Sequence, residues 1–229
     1  MFKIEPGFRA GRFGESVLIR KFIVTVLVII ACFDSVQIGR YFLPKVNLAL
    51  AQAKYRDRSR GNPGADLWVI EYLDFQCEIC RDSAKMMEDY FSAHPKEMYW
   101  QIRHYPLIRN HLYALKSAIY CECAARQKKF WEFSEKIFQT RDEWAASKDP
   151  DAIFQRVAGR VGLESNALET CIKDPSVKAM VLAEREEGKS LRLGMTPTFF
   201  VNGERIQGVP AMKHELESYF AKKAQNGKK

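Results

Sequence analysis

The stretch Trp68-Val-Ile-Glu71-Tyr-Leu-Asp-Phe-Gln-Cys77-Glu-Ile-Cys80-Arg81 decides the fold: an apolar strand, a short turn, and two cysteines three apart where a helix begins. Two thiols at i and i+3 close a small disulfide ring only where the backbone bends tightly, and the first turn of a helix supplies that bend. A helix N-terminus also leaves N–H groups free and carries partial positive charge, which favours a thiolate at the first position. Cys77 is therefore the candidate nucleophile. Cys80, one turn into the helix on the same side, is the candidate resolving thiol that attacks the Cys77 sulfur of a mixed disulfide. The competing readings are half of a zinc site or two unrelated buried cysteines; a strand before the pair and a helix after it favour redox chemistry.

Leu67 to Leu73 reads as a buried strand, and Glu71 is out of place in it. An ionised, unpaired carboxyl aimed at a core costs several kcal/mol, so its pKa should rise and it should spend time protonated. Near the thiols it could carry protons to or from Cys80; at an exposed edge it would do nothing of the kind. Ser83 to Phe91 continues the helix, and Met98 to Tyr105 reads as a second strand, completing a βαβ unit. From His111 to about Leu193 the pattern is helical, an insertion covering about 109–193, punctuated by Asp149-Pro150, Gly162 and Asp174-Pro175. Thr198 to Val201 is a compact strand; Asn202-Gly203 is a hairpin turn; Glu204 to Gly208 is its partner; Ala211 to Ala224 is a closing helix, followed by a basic tail at 225–229. The order βαβ, helices, ββα is that of an α/β thioredoxin fold with an all-helical insertion, spanning residues 67–224.

The chain has 229 residues, 47% hydrophobic and 28% charged, with a formal charge of +8. Residues 1–60 hold eleven Lys+Arg against four Asp+Glu, so nearly all the excess lies there. The rest is close to neutral and carries no electrostatic footprint for nucleic acid. Residues 1–21 form a basic tail, and Phe22 to Phe33 has no charge at all. This membrane-directed segment, 22–43, is read as an uncleaved anchor; the alternatives are a lipoprotein modified at Cys32, since Ile29-Ile-Ala-Cys32 resembles a lipobox, or a cleaved exported protein. Lys/Arg counts on its two sides do not decide orientation. The order of a basic region before an apolar one leans towards a catalytic domain outside the cytoplasm. Residues 44–66 read as a polar linker.

Three motifs taken in order are far more specific than C-x-x-C alone: Glu71-Tyr-Leu-Asp-Phe-Gln-Cys77-Glu-Ile-Cys80, Cys123-Ala-Ala-Arg-Gln-Lys-Lys-Phe-Trp131, and Gly194-Met-Thr-Pro197-Thr-Phe-Phe-Val-Asn-Gly203. In them the sequence resembles the DsbA-like thiol-disulfide oxidoreductases, in the branch of the thioredoxin superfamily that is often membrane-anchored or exported in bacteria. The resemblance implies a cis bond between Thr196 and Pro197, packed against Cys77 and forming a rest for an extended substrate chain. It implies that Glu71 is the family's buried acidic residue, acting in proton relay. It implies a structural disulfide between Cys123 and Cys171, whose alternative is a pair of reduced core cysteines, and leaves Cys121 a buried or spare thiol. It also implies no cofactor beyond the redox-active disulfide, protein thiols and disulfides as substrates, and a redox partner that regenerates the pair. The dipeptide Glu78-Ile79 departs from the best-known member, which has a histidine beside its second cysteine; a negative Glu78 should weaken the thiolate and give a less oxidising couple. No metal site is expected, and His104 and His111 are set aside as surface or hydrogen-bonded histidines. The competing functions are a metal-binding or metal-delivery module using the C-x-x-C thiols, and a non-catalytic thioredoxin-fold assembly partner.

Overall fold

In β2, Leu67–Leu73, the alternation of a strand sends Leu67, Val69, Glu71 and Leu73 to one face, and all four are buried. The parity that buries three apolar side chains thus buries the carboxyl as well. The computed structural model describes residues 55–226. The basic tail, the membrane-directed segment with Cys32, and residues 44–54 of the linker lie outside the described residues, as do residues 227–229. Among the described residues no helix is long and apolar enough to cross a membrane.

The sheet has the order β1-β3-β2-β4-β5, built from β1 Ser59–Gly61, β2, β3 Met98–His104, β4 Thr198–Val201 and β5 Glu204–Gln207. Only β2 and β3 run parallel, with Leu67 opposite Met98 and Leu73 opposite His104; the other pairs are antiparallel. The parallel pair needs a crossover, which α1, Glu78–Ala93, provides. Six helices fill the chain between β3 and β4: α2 Ala114–Arg126, α3 Phe130–Gln139, α4 Arg141–Ala146, α5 Pro150–Arg160, α6 Ser165–Lys173 and α7 Pro175–Ser190. Asp149 and Asp174 cap α5 and α7 with their side chains, each followed by a proline at the first helical position, where its missing N–H costs nothing. The hairpin β4–β5 turns on Asn202 and Gly203, both at positive φ, and α8, Val209–Asn226, closes the chain.

One expectation is corrected here. The polar linker does not run to residue 66, because Ser59–Gly61 forms the edge strand β1 on β3, and Tyr55 and Arg58 are buried. Polarity misleads at this point because the arginines are partnered. Arg60 stacks over the rings of Trp131, Phe91 and Trp100 at 4.0, 4.2 and 4.6 Å. Arg58 enters a buried ionic cluster with Glu122 and Glu184. The insertion, read as about 109–193, follows a loop at 105–113, and its first helix begins at Ala114.

Cys123 of α2 and Cys171 of α6 are joined by a disulfide, with Cα atoms 5.8 Å apart. Cys121, two residues from Cys123, is a buried free thiol. Residues two apart on a helix point roughly 200° apart, so the two neighbours serve different surroundings.

Candidate active site

Cys77 is the N-cap of α1, and Cys80 lies one turn inside it. Both are free thiols. Cys77 is 9% exposed and Cys80 fully buried, so an incoming sulfur can reach the first and not the second. Their proton affinities split accordingly. The hydrogen bond from Cys80 brings the Cys77 thiol down to about 6 against the cost of burial, with Thr196 adding to the lowering. Burial pushes Cys80 well above an ordinary thiol, and its neighbour Cys77 adds to the rise. Glu78, which the sequence suggests should oppose the thiolate, is exposed and turned to Arg81 at 3.3 Å, where water and the guanidinium screen it.

Opposite the thiols the Thr196–Pro197 peptide bond is cis, and the Cys77 thiol lies 3.6 Å from the Thr196 carbonyl oxygen, towards which it donates. This carbonyl belongs to the segment leading into β4, next to β2, so sheet pairing brings residues 119 positions apart into contact. Glu71 lies beneath. Ser83 Oγ donates to its Oε1 at 2.7 Å and Trp100 Nε1 to its Oε2 at 3.0 Å. No cation among the described residues is bonded to it, and burial raises its pKa to about 7 despite both donors. Ser83 is three residues after Cys80 and faces the same side of α1, so Glu71 is bonded to the helical face that carries Cys80.

The turn between β2 and α1 is held by Asp74 and Gln76. The Asp74 carbonyl accepts from Cys77 N–H, and its buried carboxylate accepts from the N–H groups of Gln76 at 2.7 Å and Leu107 at 2.8 Å. The same carboxylate is paired with His111 Nδ1 at 2.8 Å. The Gln76 side chain accepts from Tyr113 N–H, and its carbonyl accepts from Arg141 Nε. Of the residues singled out in sequence, the structure brings together Cys77, Cys80, Glu71, Thr196 and Pro197, and places the Cys123–Cys171 disulfide in the helical insertion, away from them. Ser83, Trp100 and Asp74 carry no site role in the sequence reading, and His111, read there as a surface or hydrogen-bonded histidine, is bonded to Asp74. Ser83 could have been found from its i+3 spacing to Cys80; the others are joined by the fold, across 29 and 37 residues, and no local pattern announces them.

Among the described residues no group of three or more His, Cys, Asp or Glu is placed to hold a metal ion. Among the described residues four large apolar side chains are exposed, Ile79, Ile108, Leu112 and Met195, and each lies on a segment that carries the site: beside the cysteines, on the loop bonded to Asp74, or beside Thr196.

A mixed five-stranded sheet with a thiol pair at the start of its crossover helix, a cis-proline opposite, and a helical insertion before the final hairpin defines a thioredoxin-like protein of DsbA-like architecture. The family model described as Thioredoxin matches residues 54–218, and the chain belongs to that family. Among solved structures it is similar to alpha-DsbA1 of Wolbachia pipientis, at 22% identity and a TM-score of 0.59 over 80% of this chain and 96% of that one. It is similar also to a thioredoxin-like oxidoreductase from Silicibacter pomeroyi, at 22% identity and a TM-score of 0.60 over 72% and 91%, and to BdbD from Bacillus subtilis, at 16% and 0.59 over 70% and 91%. These likenesses carry the fold. A curated relative, Na(+)/H(+) antiporter NhaA 1 of Mycolicibacterium gilvum, is 32% identical over 155 residues, which are 67% of this chain and 24% of the relative. The chain therefore spans about a quarter of the length of the curated relatives it matches.

Proposed function

We propose that the chain is a thiol-disulfide oxidoreductase that exchanges disulfides with exported proteins, held to a membrane by its N-terminal segment with the catalytic domain outside the cytoplasm. The observation that carries this reading is the split between the two thiols, an accessible Cys77 with a pKa of about 6 and a buried Cys80 held well above the ordinary value. The Cys77 thiolate attacks one sulfur of a substrate disulfide, forming a mixed disulfide and releasing the substrate's other sulfur as a thiolate. Cys80 then gives its proton to the Glu71 carboxylate and attacks Cys77 Sγ, expelling the second substrate thiolate. The protein ends as the Cys77–Cys80 disulfide and the substrate as a dithiol. Two electrons have moved, and the reverse sequence oxidises a substrate. Thr196 and Pro197 form the rest on which an extended substrate chain pairs, and the exposed Ile79, Ile108, Leu112 and Met195 offer apolar contact to an unfolded segment. A redox partner resets the pair, and the poise of that partner sets the direction.

The test is to trap partners in cells with Cys80→Ala, which lacks the resolving thiol. Mixed disulfides at Cys77 with exported proteins are the expected result. An absence of adducts, with stoichiometric metal on the purified protein, would favour the metal-module reading instead. The names of the curated relatives favour a second reading, in which the trapped partner is a membrane transporter rather than a pool of exported chains; the identity of the adducts separates the two.

A further inference from the structure

We propose that Asp74 and His111 form a charge pair that sets the reactivity of Cys77, with His111 a positioning residue that acts through Asp74; the proposal deepens the thiol chemistry proposed above and rests on it. Asp74 is 1% exposed, yet its carboxylate is committed to three partners that all belong to the site's frame. They are Gln76 N–H in the turn that presents Cys77, Leu107 N–H in the loop after β3, and His111 Nδ1 at 2.8 Å. The Asp74 backbone carbonyl takes the N–H of Cys77 itself. A buried negative charge three residues before the nucleophile opposes a thiolate there. Protonated His111 offsets that charge.

The groups facing His111 are Asp74 from the turn after β2, Cys77 at the start of α1, and Arg141 at the start of α4. The bond to Asp74 raises the His111 pKa most, partial burial and Arg141 oppose the rise, and Cys77 adds to it. Its side chain is 25% exposed and so open to water, whereas that of Asp74 is fully buried. The sign follows. Below its raised pKa, His111 is charged, Asp74 is neutralised as a pair, and the Cys77 thiolate is favoured. Above it, the Asp74 charge stands alone and the thiolate is penalised. The positive charge comes from a histidine 34 positions further along the chain than Cys77.

The experiment measures the pH dependence of Cys77 alkylation by iodoacetamide in the reduced full-length chain, with the modified residue mapped by mass spectrometry. In His111→Gln, which keeps a donor to Asp74 and loses the charge, the midpoint should move upward from about 6 by roughly one unit, the low end for loss of a nearby opposite charge. Reduction by glutathione should become about fivefold less favourable at neutral pH in that variant. His111→Lys should keep the wild-type midpoint. In an Asp74→Asn background the His111→Gln shift should vanish. Equal midpoints in the wild type and the Gln and Lys variants would overturn the proposal, and so would equal shifts in Gln and Lys, which would indicate lost packing. Should the Gln variant fail to fold, the His111 ring resonances of the wild type should inflect at the Cys77 midpoint, and a single inflection elsewhere would overturn it. Alkylation needs no partner protein. A shifted midpoint without mixed disulfides in cells would therefore sink the exchange reading and leave the charge pair standing.

Discussion

Glu71 and Glu184 are both completely buried, and they behave in opposite ways. Glu71 receives one hydroxyl and one indole N–H, and burial lifts its pKa to about 7. Glu184 suffers the same burial but is gripped by both terminal nitrogens of Arg58, with a further bond from His104 N–H, and its pKa falls below the ordinary carboxylate value. Arg58 also lies 2.9 Å from Glu122, which reaches His104 Nε2 at 3.3 Å. Two buried carboxylates in one molecule thus divide by the presence of a cation. With one, the group is a permanently charged clamp between the edge of the sheet and the helices α2 and α7. Without one, its pKa lies near neutrality, as the proton relay proposed for Glu71 requires.

Four changes would break or sharpen that division. The largest effect is expected for Arg58→Met, which strands Glu184 and Glu122 as unpaired buried charges. Stability should fall by about 4 kcal/mol in urea unfolding. Removing the disulfide as the pair Cys123→Ala and Cys171→Ala unties α2, which carries Glu122, from α6, and should cost about 3 kcal/mol without changing the exchange chemistry at Cys77. Glu71→Gln should do the reverse. The folded protein binds the Glu71 proton more tightly than the unfolded chain does, so stability is lost as pH rises from 4.5 through about 7. The Gln variant should gain up to about 3 kcal/mol at pH 8 and nothing at pH 4. It should also slow resolution of the mixed disulfide by roughly a hundredfold, read by stopped-flow quench. Ser83→Ala should act least, costing about 1 kcal/mol and pushing the Glu71 pKa higher still, visible as a shift in the pH profile of resolution.

Much of this division could be read in the sequence on one side only. The buried position of Glu71 follows from strand parity with Val69 and Leu73, and the thiol chemistry from the i, i+3 spacing at a helix start, because both are periodic, local properties. Glu184 and Arg58 carry no such signal. Arg58 sits in a run of basic and polar residues that looks like a solvated tether, and its partners are 64 and 126 positions away. The same holds for His111, which is set aside when only local spacing is considered and gains a role from the loop that returns to Asp74. Elements and their order follow from local pattern; paired charges depend on where the chain comes back to itself.

The central claim, that Cys77 alone meets the substrate sulfur and Cys80 completes the exchange, is tested most directly by reacting the reduced full-length chain and its Cys80→Ala variant with glutathione disulfide. The account predicts rapid passage to the Cys77–Cys80 disulfide in the wild type, with a pH midpoint near the Cys77 pKa of about 6, and a stable single glutathione adduct on Cys77 in the variant, whose midpoint lies higher because the hydrogen bond from Cys80 is lost. Glutathione on Cys80, or equal reaction of both thiols with a midpoint at the ordinary thiol value, would contradict it.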